Sequence, residues 1–127
     1  MNLIDSCGWL EYFAEGHNAE FFAPAIETPE TQIVPVVTLY EVFKRILQQR
    51  GEAEALRAIA LMRQGRVVDL DETTALDAAR LSLEIQLPMA DGLILATARQ
   101  FRAIVWTQDA HFAAIQGVRY ISAKVVL

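Results

Sequence analysis

The sequence predicts an α/β fold, a small, mostly parallel sheet of four or five strands flanked by helices. Three observations point there. Short apolar runs alternate along the chain with helical stretches of roughly 10–30 residues, the pattern of strands joined by helical crossovers. Several helical stretches carry one apolar face, and the segment Ala90–Phe101 is apolar almost all round, as a central buried helix is. The 127 residues suffice for one domain, 1–127, with an ordinary core.

The elements follow in order. Asn2–Ile4 reads as a short buried strand. Ser6 is placed to cap a helix carrying Trp9, Leu10 and Phe13, and Asn18 to cap a second helix carrying Phe21 and Phe22 and ending near Pro24. Residues 24–31, with two prolines and two threonines, read as a loop. Gln32–Val36 is a second strand, its end or edge marked by Pro35. From Thr38 to Arg50, Leu39, Val42, Phe43, Ile46 and Leu47 share one helical face. Gly51 ends that helix, and Glu52–Gln64 forms another, closed by Gly65. Arg66–Leu70 is a strand. Asp71 caps a long Ala- and Leu-rich helix to about Gln86, and Pro88 stops it. After Ala90–Phe101 come a strand at Ile104–Thr107, a short helix at Asp109–Ile115 and a last strand at Val118–Ile121.

Composition narrows the functional classes. No run of 18 apolar residues is present, so a transmembrane helix is not expected, and the opening MNLIDSCGWLEYF lacks the basic start of a signal peptide. Cys7 is the lone cysteine, which excludes an intramolecular disulfide and favours the cytoplasm. With His17 and His111 the only histidines, a Cys/His zinc site is not expected. Apolar residues make up 54% of the chain, above the roughly 45–50% of ordinary soluble domains, and the excess predicts an oligomer, a protein partner, or both. The net charge of −5 argues against indiscriminate nucleic-acid binding by the whole surface. Its distribution is uneven. Residues 1–43 hold seven acids and no Lys or Arg, whereas residues 44–66 hold six basic residues against Glu52 and Glu54. That basic stretch is either a solvated helix surface or a phosphate-contacting rim, with Lys44 and Arg45, one turn beyond Glu41, the best placed.

Four acids stand at junctions between an apolar run and the start of a helix: Asp5, Glu41, Asp91 and Asp109. Strand ends converge on one crevice in folds of this class, so acids far apart in sequence are able to meet there. Each also has a structural reading. Asp5 and Asp109 suit N-caps, Thr38-Leu39-Tyr40-Glu41 has the form of a capping box, and Asp91 sits where a helix dipole favours negative charge. Together they imply a cation. Two carboxylates about 4 Å apart repel by about 4 kcal/mol at an effective dielectric near 20, and an all-oxygen ligand set favours Mg²⁺ or Mn²⁺ over Zn²⁺.

In their order and spacing the segments LIDSCGWLEYF, VVTLYEVFKRI, LPMADGLILATA and VWTQDAHF resemble the PIN-domain ribonucleases, most closely the toxins of VapBC-type toxin–antitoxin pairs. The resemblance covers nearly the whole chain. It implies a three-layer α/β/α fold, with Asp5, Asp91 and Asp109 holding one or two Mg²⁺ (or Mn²⁺) ions and Glu41 completing the catalytic cluster. Ser6 and Thr107 take the family's supporting hydroxyl positions. Cys7 departs from the usual Ser or Asn, and Gly92 is smaller than the usual residue after the third acid. The implied activity is metal-dependent hydrolysis of tRNA or ribosomal RNA by a homodimer that a cognate antitoxin restrains. A catalytically silent protein-binding module on the same fold is the alternative.

Other signals carry less. Asp69 and Asp71, after the run Val67-Val68, resemble the nucleophile motif of haloacid-dehalogenase-type phosphatases. The chain after Thr73 is too short for the rest of that fold, and Asp71 serves as a cap. Cys7 reads as packing or site lining, the aromatic pairs Trp9/Phe13 and Phe21/Phe22 as core or interface, and His111 as a surface residue of its short helix.

Overall fold

The structure, a computed structural model, describes residues 1–123. Five strands are present among them: β1 (Asn2–Ile4), β2 (Ile33–Pro35), β3 (Arg66–Val68), β4 (Ile104–Thr107) and β5 (Val118–Tyr120). Six α-helices accompany them: α1 (Ser6–Phe13), α2 (Ala19–Ile26), α3 (Val36–Arg50), α4 (Glu52–Met62), α5 (Glu72–Ile85) and α6 (Met89–Gln100). Every strand pair is parallel. One ladder runs β1-β4-β5, a second joins β2 to β3, and a parallel bridge between Asn2 and Gln32 connects the two. The strand order across the molecule is therefore β3-β2-β1-β4-β5. The chain steps from β1 through β2 out to β3, then crosses back to β4 on the other side of β1, so a crevice opens at the carboxyl ends of β1 and β4.

Side-chain alternation along the strands divides the core in two. Ile4, Val34 and Trp106 point to one face, where Trp9, Phe22, Val42, Ile46, Ala58 and Met62 cover them. Leu3, Ile33 and Val105 point to the other, against Ala78, Leu81, Ile94, Leu95 and Phe112. The result is the expected three-layer α/β/α arrangement. Trp9 and Phe22 are buried, so these aromatics belong to the core, and Phe21 rests on Phe22 and Trp106.

Several boundaries differ from expectation, each for a local reason. Asp5, not Ser6, caps α1, its side chain accepting from the Ser6 N–H. Asn18 holds the cap position of α2 but its side chain reaches away, donating to Gln108 and to the Ser122 carbonyl. Helix α2 continues through Pro24 at the loss of one helical hydrogen bond, because Phe22, Ala25 and Ile26 are buried on its inner side. Pro35 ends β2 and α3 starts at Val36, two residues before Thr38. Thr38 therefore lies inside the helix, its hydroxyl donating to the Pro35 carbonyl at 2.7 Å, and the expected capping box does not form. The strand after Gly65 stops at Val68, and the short helix expected at 109–115 is a single 3₁₀ turn, Ala110–Phe112. Asp71 caps α5 as expected, accepting from the Thr74 N–H at 2.8 Å.

Gly8 lets α1 seat against the sheet. A Cβ there would lie 2.7 Å from the ring of Phe22 and 2.8 Å from Ile4, both fully packed. Gly8→Ala gains about 1 kcal/mol of helix propensity but overpacks this contact, which costs roughly 1–3 kcal/mol. We expect a net loss of stability, read as a lower urea midpoint with unchanged slope; a raised midpoint would show that the contact has room.

Candidate active site

The register of β1 against β4 places Ile4 beside Trp106, and the Asp5 N–H continues the ladder by donating to the Trp106 carbonyl at 3.0 Å. Asp5 and Thr107 thus emerge side by side at the mouth of the crevice. The Thr107 hydroxyl donates to Asp5 Oδ2 at 2.8 Å and accepts from the Asp109 N–H at 2.9 Å. Asp5 Oδ1 accepts from the Ser6 N–H at 2.8 Å, and the Ser6 hydroxyl donates to Glu41 Oε1 at 3.0 Å. Glu41 comes from the second turn of α3, and Asp91 from the first turn of α6. Asp109 caps the 3₁₀ turn after β4, its Oδ1 accepting from the His111 N–H at 2.9 Å.

His111 closes the chain of contacts. Its Nδ1 lies 2.9 Å from Asp91 Oδ2 and 3.0 Å from Asp109 Oδ1. His111 is exposed, as the sequence predicts, yet its ring also reaches the acids. The only local signal was its position two residues after Asp109, and the approach to Asp91 is set by how α6 meets the end of β4. A continuous path of polar contacts therefore joins Glu41, Ser6, Asp5, Thr107, Asp109, His111 and Asp91. Glu41 does not cap its own helix; its carboxylate is turned to Ser6.

The electrostatics match a site short of positive charge. Burial, opposed by bonds from Thr107, Cys7 and Ser6, holds the Asp5 carboxyl above its usual range. Glu41 is shifted upward too, mainly by burial, against the bond from Ser6. Asp91 is pushed up to about 7 by burial and by the charges of Asp109 and Asp5. His111 is raised above its ordinary value, chiefly by the charge of Asp109. Cys7 Sγ lies 3.3 Å from Asp5 Oδ2 and 3.4 Å from the Thr107 hydroxyl. Burial and the Asp5 charge push its thiol up to about 12, so it remains S–H and donates where a hydroxyl or amide stands in the resembling family. A nucleophilic cysteine is inconsistent with that value.

The donor set suits a hard or borderline divalent cation. Ligand atoms of Asp91, Asp109 and His111 all lie within 4.8 Å of one another, and Asp5 adds its charge beside them. Beyond Cys7 and Gln108 a groove of about 590 Å³ runs between α1, α3 and α4, lined by Phe13, Arg45, Arg50 and Arg57 among others. Arg45 thus borders the path away from the acids. Lys44 instead lies over the Tyr40 ring, 5.6 Å from its centroid. Asp69 and Asp71 sit past the end of edge strand β3, where Asp71 is engaged as a cap.

The shifted Asp91 gives a pH dependence with a defined sign. Its carboxyl titrates near 3.8 when unfolded and near 7 when folded. The folded metal-free protein therefore holds the extra proton, so this contribution to stability is complete below about pH 4 and lost as pH rises through about 7. Asp91→Asn removes the dependence. Thermal melts in chelator are expected to show the variant gaining on the parent as pH rises from about 5 to about 8. A difference independent of pH would contradict the assignment.

Among curated proteins, none matches the sequence. Solved structures do match in fold. A toxin–antitoxin complex from Klebsiella pneumoniae is 22% identical with a TM-score of 0.81, covering 94% of this chain and 96% of that one. VapC20 of Mycobacterium tuberculosis, a sarcin–ricin loop cleaving toxin, is 17% identical with a TM-score of 0.75, covering 91% and 95%. DNA-bound VapBC from Salmonella typhimurium is 15% identical with a TM-score of 0.72, covering 96% and 98%. The family model for the PIN domain matches residues 3–118. With that match over most of its length, and with acids from four segments gathered at the ends of its parallel strands, the chain belongs to the PIN domain family.

Proposed function

We propose that this protein is a Mg²⁺- or Mn²⁺-dependent endoribonuclease of the VapC toxin type, cutting tRNA or ribosomal RNA and neutralised by a cognate antitoxin. The observation that carries the reading is the unbroken polar path through Asp5, Asp91, Asp109 and Glu41 at the sheet's carboxyl edge. A bound divalent cation supplies a Lewis acid for the phosphate oxygens and lowers the pKa of an attacking water. Asp5, Asp91 and Asp109 hold that cation, directly or through water. Glu41, half-buried and raised in pKa, is suited to orient the water and take its proton. Ser6 and Thr107 fix the carboxylate rotamers, which keeps the donor atoms in place.

The acidic crevice alone would repel RNA, so backbone phosphates need cations nearby. Arg45, Arg50 and Arg57 line the adjoining groove and are suited to that role, although Arg57 also pairs with Glu54 at 2.6 Å. Lys44 lies over Tyr40 and does not line that groove. The apolar floor of the groove, with Leu10, Phe13, Ile46 and Leu61, suits an apolar segment of a protein partner such as the antitoxin. Leu76, Leu83 and Met89, exposed on α5 and α6, supply apolar surface for a homodimer. No helix among the described residues is long and apolar enough to cross a membrane.

The test uses structured RNA with the purified chain. Cleavage is expected with Mg²⁺ or Mn²⁺, to stop in EDTA, and to fall at least about 100-fold in Asp5→Ala or Asp91→Ala. Asp5→Asn, which preserves the capping acceptor, is expected to be equally inactive with a native circular dichroism spectrum. Full activity in a folded variant would remove that residue from the mechanism.

A further inference from the structure

Resting on the metal centre proposed above, we infer that His111 is itself a metal ligand through Nδ1 and gives the centre a preference for a borderline divalent cation such as Co²⁺ over Mg²⁺. The geometry comes first. Nδ1 stands 2.9 Å from Asp91 Oδ2 and 3.0 Å from Asp109 Oδ1. Two donors each about 2.1 Å from one cation, at right angles, are about 3.0 Å apart. The nitrogen thus has the spacing of an adjacent coordination position to each carboxylate oxygen, and all three ligand atoms lie within 4.8 Å of one another.

The placement of the ring supports a ligand role. The side chain of His111 is 56% exposed, so packing does not fix it. Its backbone is held instead, the His111 main-chain N–H donating to Asp109, which caps the turn. Asp109 and His111 therefore arrive together, two positions apart, as a paired oxygen and nitrogen donor. The nitrogen nearer the backbone faces the carboxylates. Chemistry then sets the preference. Imidazole nitrogen suits the later divalent ions, whereas Mg²⁺ favours oxygen donors and keeps its waters. The competing reading is a counter-ion: the ring bonds to both carboxylates in the metal-free protein and is displaced when a cation enters.

Calorimetric titration of the full chain with Co²⁺ alone and with Mg²⁺ alone separates these readings, with the visible spectrum of bound Co²⁺ as a second readout. His111→Ala is expected to weaken Co²⁺ binding at least about 10-fold, a loss that even a supporting partner of a ligand can cause. Mg²⁺ binding should change by less than about 3-fold, and the Co²⁺ bands should shift with the loss of nitrogen ligation. His111→Gln, which keeps a polar side chain, should behave as the alanine variant does. Equal Co²⁺ affinity and spectrum in parent and variants would overturn the inference and leave the carboxylate centre standing. Tighter binding of both metals by His111→Ala would also overturn it, identifying the ring as a displaced counter-ion. Failure of the parent to bind either metal would overturn the centre itself, and this inference with it.

Discussion

The parallel register of β1 against β4 is the constraint on which the rest of the site depends. It sets Ile4 beside Trp106 and so brings Asp5 and Thr107 out of the sheet together. One hydroxyl then does two jobs: Thr107 donates to Asp5 and accepts from the Asp109 backbone. Slipping the pairing by one residue would turn Thr107 to the other face and break its contact with Asp5. It would also exchange Val105 and Trp106 between two cores that are filled by different helices. The hydrophobic pattern therefore selects the register, and the register assembles the acids.

Holding these acids together runs against solvation. Burial raises Asp5, Glu41 and Asp91, and hydrogen bonds from Ser6, Thr107 and Cys7 only partly offset it at Asp5. A fold seldom keeps such a set without a compensating charge. The cation proposed for this site would supply that charge. The same tension explains why Cys7 is harmless in its place. A thiol that stays protonated contributes a donor to Asp5 without adding a further negative charge.

What could be read from the sequence follows the range of the interactions. Asp71 as the cap of α5 depends on a partner three residues away, and it was legible. The strand Ile104–Thr107 was equally so, and the four acids drew notice because each lies at an element junction. Capping and site roles are not exclusive: Asp5 and Asp109 cap their turns while Asp5 also accepts from Thr107 and Asp109 lies against His111. For Glu41 the local signal misled. Pro35 starts α3 early, Thr38 turns back to the Pro35 carbonyl, and Glu41 is left for Ser6, 35 positions away in the chain. His111 was missed for the same reason, since its distance to Asp91 depends on the meeting of α6 and β4. Strand order was likewise invisible, because parallel pairing is decided by contacts between distant segments.

Among the described residues a single bridge, between Asn2 and Gln32, joins the β2-β3 ladder to the β1-β4-β5 ladder. The Asn2 side chain reinforces it on both sides, donating to Thr31 and accepting from the Trp106 indole. Glu41 follows the first ladder, whereas Asp5 and Asp109 follow the second. A seam with so few rungs is where local opening of the sheet costs least. The Ser6–Glu41 bond spans the same seam from the side of the crevice. Amide exchange along β2 would be quicker than along β4, and the width of the crevice would follow the opening of that seam.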